Sequence, residues 1–218
     1  RHLPQYPRLR HTSFEADYPD PAYMRQGLTY WLGDLIGCPS PFYYSVRLQM
    51  NGAFYQLATH NDLHDEDLLE RLGYDPNGAL YNAAGTATPD KSSTGGFDKK
   101  TRRWETGDPD YLQLTRAIAE SNPVGARRVA LFDYFDIPRV INYLVLARWV
   151  HENDDVWANM SLYHDNDGDG LWRIIPFDMN LSWGAIFYEG GNTSVIEGVQ
   201  ATNDIHKAHP LYGSSQAP

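Results

Sequence analysis

Three groups of side chains in the second half of the 218-residue chain have types and spacings that can do chemistry. Asp154 and Asn159 stand five apart in HENDDVWANMSLYHD, between a helix-like apolar run and a strand-like one. At that spacing one loop can offer a carboxylate to take or orient a hydroxyl proton and an amide oxygen to hold a divalent cation, as phosphoryl-transfer loops do. Loop Asp and Asn also serve turns, so spacing alone leaves that plainer reading open. Asp178 follows the apolar run WRIIPF. A carboxylate at the inner edge of a sheet is costly unless a cation meets it, so Asp178 reads either as a metal ligand or as the cap of the turn MNLSWG. Asp165, Asp167, Asp169 and Gly170 match the first half of a calcium loop, but its closing Glu position is Pro176. The expectation is therefore a hairpin with strands Ser161–Tyr163 and Leu171–Ile175 and the Asp/Asn/Gly run as its turn; a calcium ion held by the three carboxylates is the alternative.

The elements that must position these groups follow from periodicity and punctuation. Residues 1–18 carry prolines, basic residues and aromatics without a period and read as an irregular lead-in. Asp20 as cap, Pro21 at the first helical position, and apolar residues at Tyr23, Met24, Leu28, Trp31, Leu32, Leu35 and Ile36 predict an amphipathic helix stopped by Gly37. Asn51-Gly52 between two β-prone runs predicts a hairpin over Phe42–Thr59 with a type I′ turn. DEDLLERLG predicts a short helix ended by Gly73, and ALYNAAG with GFDKKTRRWE a second strand pair across a polar loop near 86–96. Asp108-Pro109 opens a helix to about Ser121, and Asp136 with Pro138 opens another to about His151. This order is an α+β layout of antiparallel hairpins packed with helices, not a βαβ nucleotide fold.

Composition sets further limits. The 28 acidic against 18 basic residues give a formal charge of −10, which excludes a general nucleic-acid or anionic-membrane surface. The single cysteine, Cys38, excludes an intrachain disulfide and reads as a packed small residue. No run reaches the length of a membrane span, since VINYLVLARWV is broken by Asn142 and Arg148. The chain starts without an initiator Met or a signal-peptide pattern, which suggests a processed product or a piece of something larger.

The run ENDDVWANMSLYHDNDGDGLWRIIPFDMNLSWG resembles the core signature of the CotH kinase family, relatives of spore coat protein H, with their N-x-D, N-x-x-L-Y, W-x-x-I-P-W-D-x-D and F-G words. Upstream, ADYPDPAYMRQGLTYWLGDLIGCPSP, VRLQMNGAFYQLAT, DEDLLERLG and ALYNA are similar to the family's segments in the family's order. The resemblance implies a secreted-type, atypical kinase-like domain over 1–218, lacking part of the N-terminal lobe and the C-terminal end. It implies Mg2+ (or Mn2+) and ATP as cofactors, Ser or Thr of a secreted, envelope or spore-coat protein as acceptor, and a location outside the cell or in its envelope. Carried over, Asp154 is the catalytic Asp with Asp155 as its alternative; Asn159, Asp178 and Asn180 hold the metal; Lys99, Lys100 and Asp62 lie on the nucleotide side. The chain departs from the pattern at Asn180 for an acidic residue, Asn82 for a lysine and Asp62 for a glutamate. Two other readings stand beside this one: a degenerate, non-catalytic surface module, and a carbohydrate-active domain suggested by 6 Trp and 15 Tyr.

Overall fold

A computed structural model of the chain describes residues 10–83, 97–119, 121–152, 159–187 and 193–195. Among these, helices pack against three antiparallel sheets, an α+β fold. The first sheet has the order β1-β3-β2, with β1 Ser13–Glu15, β2 Tyr43–Met50 and β3 Ala53–Asn61. Its hairpin turns at Asn51 and Gly52 with φ of 53° and 80°, the positive angles that a type I′ turn needs. The lead-in expected to be irregular contributes β1, whose Ser13, Phe14 and Glu15 pair with Asn61, His60 and Thr59. Three residues are too few to show a two-residue period.

The second sheet, ordered β5-β4-β6-β7, is built from β4 Ala79–Ala83, β5 Phe97–Lys99, β6 Met160–His164 and β7 Trp172–Pro176. Alternation divides its side chains between two cores. Tyr81, Leu162, Trp172 and Ile174 meet Tyr111 of α3 Pro109–Ile118, Ala130 of α4 Val124–Tyr134, and Tyr143 and Leu146 of α5 Ile137–Trp149. Leu80, Tyr163 and Ile175 face the other way, onto Leu68 and Leu69 of α2 Glu66–Leu72. Asp65 caps α2 through the amides of Asp67 and Leu68, and Gly73 ends it in the left-handed conformation, as the sequence signals require. A two-stranded sheet, β8 Ala185–Phe187 with β9 Thr193–Val195, completes the described part.

Two helices correct the expectations. The first, α1, spans Arg25–Leu35 and starts later than Pro21. Asp20 does cap the chain there, accepting from the amides of Ala22, Met24 and Arg25 at 3.0, 2.7 and 2.7 Å, but Tyr23 takes a positive φ and delays the helix. Its predicted apolar stripe is split: Met24, Leu28, Trp31 and Leu35 are exposed and Leu32 and Ile36 pack on the main core, while Gln26, Thr29, Tyr30 and Gly33 are buried. The hidden face is polar because it meets the polar chain after Asp178: Thr29 Oγ1 lies 3.0 Å from Ser182 Oγ, and the Trp183 indole donates to it at 3.0 Å. The second, α4, was not expected at all. Val129 and Phe132 are exposed and only Ala130 is buried, so VGARRVALFDY carries no stripe to read.

Candidate functional site

Antiparallel pairing of Met160 with Pro176 closes the β6–β7 hairpin, and one step further the Phe177 amide donates to the Asn159 carbonyl at 3.2 Å. Asn159 and Asp178 are thereby brought to the same end of the sheet. Both sit at positive φ, 63° and 49°, the left-handed region that Asn and Asp enter more readily than other side chains. Asn159 is buried and Asp178 half-buried. Asp178 opens a single 3₁₀ turn, Met179–Leu181, that carries Asn180. Asp154 and Asp155 lie outside the described residues.

On the α1 side of this point the surroundings are acidic and polar. Asn180 Nδ2 donates to Asp17 Oδ1 at 3.3 Å, and Tyr43 Oη donates to Asp17 Oδ2 at 3.0 Å. Burial raises the Asp17 carboxyl above its usual range, and the charge of Asp20 adds to this. Glu15 is raised too, by burial and then by Asp17. Tyr30, fully buried, accepts from Gln26 Nε2 at 3.0 Å; burial first and the charge of Asp178 second hold its phenol well above the usual value.

On the α2 side the sheet ends in a polar row. Register places Asp98, Asn82 and Ser161 side by side across β5, β4 and β6. Ser161 Oγ donates to Asn82 Oδ1 at 3.2 Å and stands 2.5 Å from His64 Nδ1. With the serine proton given to Asn82, His64 must carry its own on Nδ1. The ring meets Phe177 edge-on at 4.4 Å between centroids, one residue before Asp178. Burial, helped by the Lys100 charge and opposed by Asp62, lowers the His64 pKa to about 3, so the ring is neutral.

The sequence-predicted cations and acids separate here. Lys100 lies near His64 and pairs with Asp98 at 2.6 Å. Lys99, in register with Tyr81, is on the opposite face from Asn82; it pairs with Glu105 at 3.1 Å and Asp108 at 3.6 Å and lies over the Tyr81 ring. Asp62 is buried and pairs with Arg71 at 2.6 Å while accepting from the Phe42 amide at 2.7 Å. Burial opposes its ionisation, but its polar neighbours, His60 and Arg71 foremost, outweigh that and hold its carboxyl below the usual range. His60 Nε2, 3.8 Å away, is beyond hydrogen-bond length, so Arg71 is the contact that matters.

The Asp/Asn/Gly run forms the β6–β7 turn, with Gly170 at φ 72°. Its carboxylates face arginines: Asp167 pairs with Arg102 at 2.7 Å, Asp169 grips Arg173, and Asp165 stands 3.7 Å from Arg173. Arg173 also reaches Asp136 at 3.2 Å, the residue that caps α5. This charge balance ties the turn to the helix layer.

Set against known proteins, residues 4–211 match the family described as CotH kinase protein. The chain belongs to the CotH kinase protein family. It is also similar to the inner spore coat protein H of Bacillus subtilis (strain 168), 24% identical over 186 residues covering 80% of this chain and 50% of that protein. It thus spans about half the length of that curated relative.

For this CotH family member, the structure joins Asn159, Asp178 and Asn180 at one hairpin end and leaves Lys99 and Asp62 committed to other partners. Asp17, His64 and Ser161 stand beside those residues and were not singled out from sequence. The one sequence signal for them is alternation: Ser161 is the polar residue at an inward position of a strand whose other inward position on that face is Tyr163. Among the described residues no three of His, Cys, Asp and Glu converge as metal ligands, and the oxygen donors that this hairpin end could offer an ion would be the Asp178 carboxylate and the side-chain amides of Asn159 and Asn180. Such oxygen donors fit a hard divalent ion that keeps waters or substrate phosphates as its other ligands.

Proposed function

We propose that this CotH family member is an atypical kinase-like phosphotransferase that moves the terminal phosphoryl group of a magnesium-bound ATP to a Ser or Thr hydroxyl of an envelope or spore-coat protein. The observation that supports this reading best is the meeting of Asn159 and Asp178 at the end of one hairpin, held by the Phe177–Asn159 backbone bond. Asp178, Asn159 and Asn180 would hold the magnesium ion, which supplies charge neutralisation at the phosphates. Lys100, whose charge reaches His64 and which pairs with Asp98, would be a cation for a phosphate oxygen. Asp154, or Asp155 if the loop slips by one, would accept the proton of the attacking hydroxyl. The spore-coat assignment rests on the name of the Bacillus subtilis relative.

A second reading, a non-catalytic coat or surface module, is favoured by the neutral residues at 82 and 180, both spent on internal hydrogen bonds. Thermal stabilisation by ATP separates the two. The phosphotransferase reading expects stabilisation that needs magnesium and is lost in Asp178→Ala. It expects Asp154→Ala to bind ATP as the parent does while transferring phosphate roughly 10² to 10⁴ times more slowly. Magnesium-ATP binding that survives Asp178→Ala would leave the non-catalytic reading in place.

A further inference from the structure

Buried polar groups, only partly satisfied, gather between β1, the end of β3, α1 and the turn after Asp178. Asp17 is 6% exposed, and no Lys, Arg or His among the described residues lies within ion-pair distance of it. The nearby Arg25 is paired at 2.7 Å with Asp20. Glu15 lies two residues away, and both Glu15 and Asp178 act on Tyr30. Into the same region are set Gln26 and Asn61, 0% and 1% exposed, whose Oε1 and Oδ1 have no hydrogen-bond partner. Buried oxygens without donors, beside an Asp17 carboxylate with no ion-pair partner among the described residues, form an arrangement that a bound cation would stabilise.

Asn180 links this region to Asp178. Its Nδ2 is given to Asp17, so the planar amide turns its Oδ1 away from Asp17. A neutral oxygen held in this way carries the negative charge of its partner at one remove, as carboxylates behind metal ligands do.

We propose that Asp17 supplies a second negative charge to the divalent-metal site headed by Asp178, with Asn180 as the bridge between them. The inference rests on the reading of Asp178 as a metal ligand. A purely structural Asp17 would only accept the two hydrogen bonds from Tyr43 and Asn180, and an asparagine keeps both contacts, its Oδ1 accepting from Asn180 Nδ2 and its Nδ2 donating to Tyr43 Oη. Asparagine also tolerates the positive φ of 45° at this position, so Asp17→Asn removes charge while keeping shape and backbone.

The test is Mn2+ binding by the full chain without nucleotide, read from the loss of the free-ion paramagnetic resonance signal, with unfolding temperatures measured in parallel. Asp178→Asn should abolish binding. Asp17→Asn should weaken it on the order of 10- to 100-fold, the usual cost of losing a partner behind a ligand, with a melting temperature close to the parent's. The exchange Asp17→Asn with Asn180→Asp returns one carboxylate to the pair and should regain most of the affinity. Unchanged binding in Asp17→Asn, with loss in Asp178→Asn, overturns the role of Asp17 and leaves the metal site standing. Failure of the exchange to regain affinity overturns the sharing of charge through position 180. If parent and Asp178→Asn bind Mn2+ equally or not at all, the metal reading and this inference fall together.

Discussion

Acidification should destabilise this protein through His64, and the size of the effect follows from its surroundings. The ring is buried, bonded through Nδ1 to Ser161, edge-on to Phe177 and near Lys100, so its folded-state pKa is about 3. In the unfolded chain a histidine titrates near 6.5. Between these values the unfolded state binds the extra proton, so stability is fully present above about pH 6.5 and falls as pH drops towards 3. From pH 7 to pH 5 the loss from this one group is about 2 kcal/mol, or roughly 4 to 8 °C in melting temperature for a chain of this size. The measurement is urea unfolding of the parent and of His64→Asn at pH 7, 6 and 5. Asparagine keeps a donor towards Ser161 but has no proton to gain, so the substitution is expected to lower stability at pH 7 and to flatten its fall with acid. The raised carboxyls of Glu15 and Asp17 act in the opposite direction, and since they are common to both proteins they cancel in the comparison. Parallel stability curves for the two proteins would refute the placement of His64 as a neutral buried ring.

The turn and the first helix give two further tests. Asp167→Asn should change unfolding free energy by less than about 0.5 kcal/mol because its pair with Arg102 is exposed, whereas Asp169→Asn should cost about 1 to 2 kcal/mol because it strips the largely buried Arg173 of its two-point contact; equal effects in urea unfolding would count against the arginine account of the turn. Gly33→Ala should destabilise by about 1 to 3 kcal/mol despite alanine's helix preference, since its Cβ would strike Ser40 Oγ and approach Cys38 O at 3.0 Å and Leu146 Cδ2 at 3.1 Å; a rise in melting temperature would show that α1 sits further from α5.

Where short-range chemistry fixes a structure, the sequence showed it. Asn51-Gly52, the Asp65 cap with Gly73, and the Asp/Asn/Gly turn before Leu171 each need only a few neighbouring residues, and each forms where expected. The failures have a common cause in partners distant along the chain. The polar side of α1 is buried because Ser182 and Trp183 supply its hydrogen bonds, so most of a stripe that looks like a core face lies outward while Leu32 and Ile36 reach the core. β1 exists because β3 offers it an edge, which no property of Ser13–Glu15 reveals.

The candidate site divides along the same line. Asn159 and Asp178 meet because the two ends of a hairpin lie at one edge, a geometry that needs only local pairing. The environment that decides their chemistry is not local. Asp17 reaches Asn180 from the N-terminal side of α1, and His64 reaches Ser161 from the loop between β3 and α2. Asp17 lies on one side of the hairpin end, and the row of Ser161, Asn82 and the Asp98–Lys100 pair on the other, so the two sides differ in their polar groups. Asp17 and Ser161 lie inside the motif runs of the sequence, yet nothing in those runs tells what they meet, because Asn180 and His64 are 163 and 97 residues away along the chain.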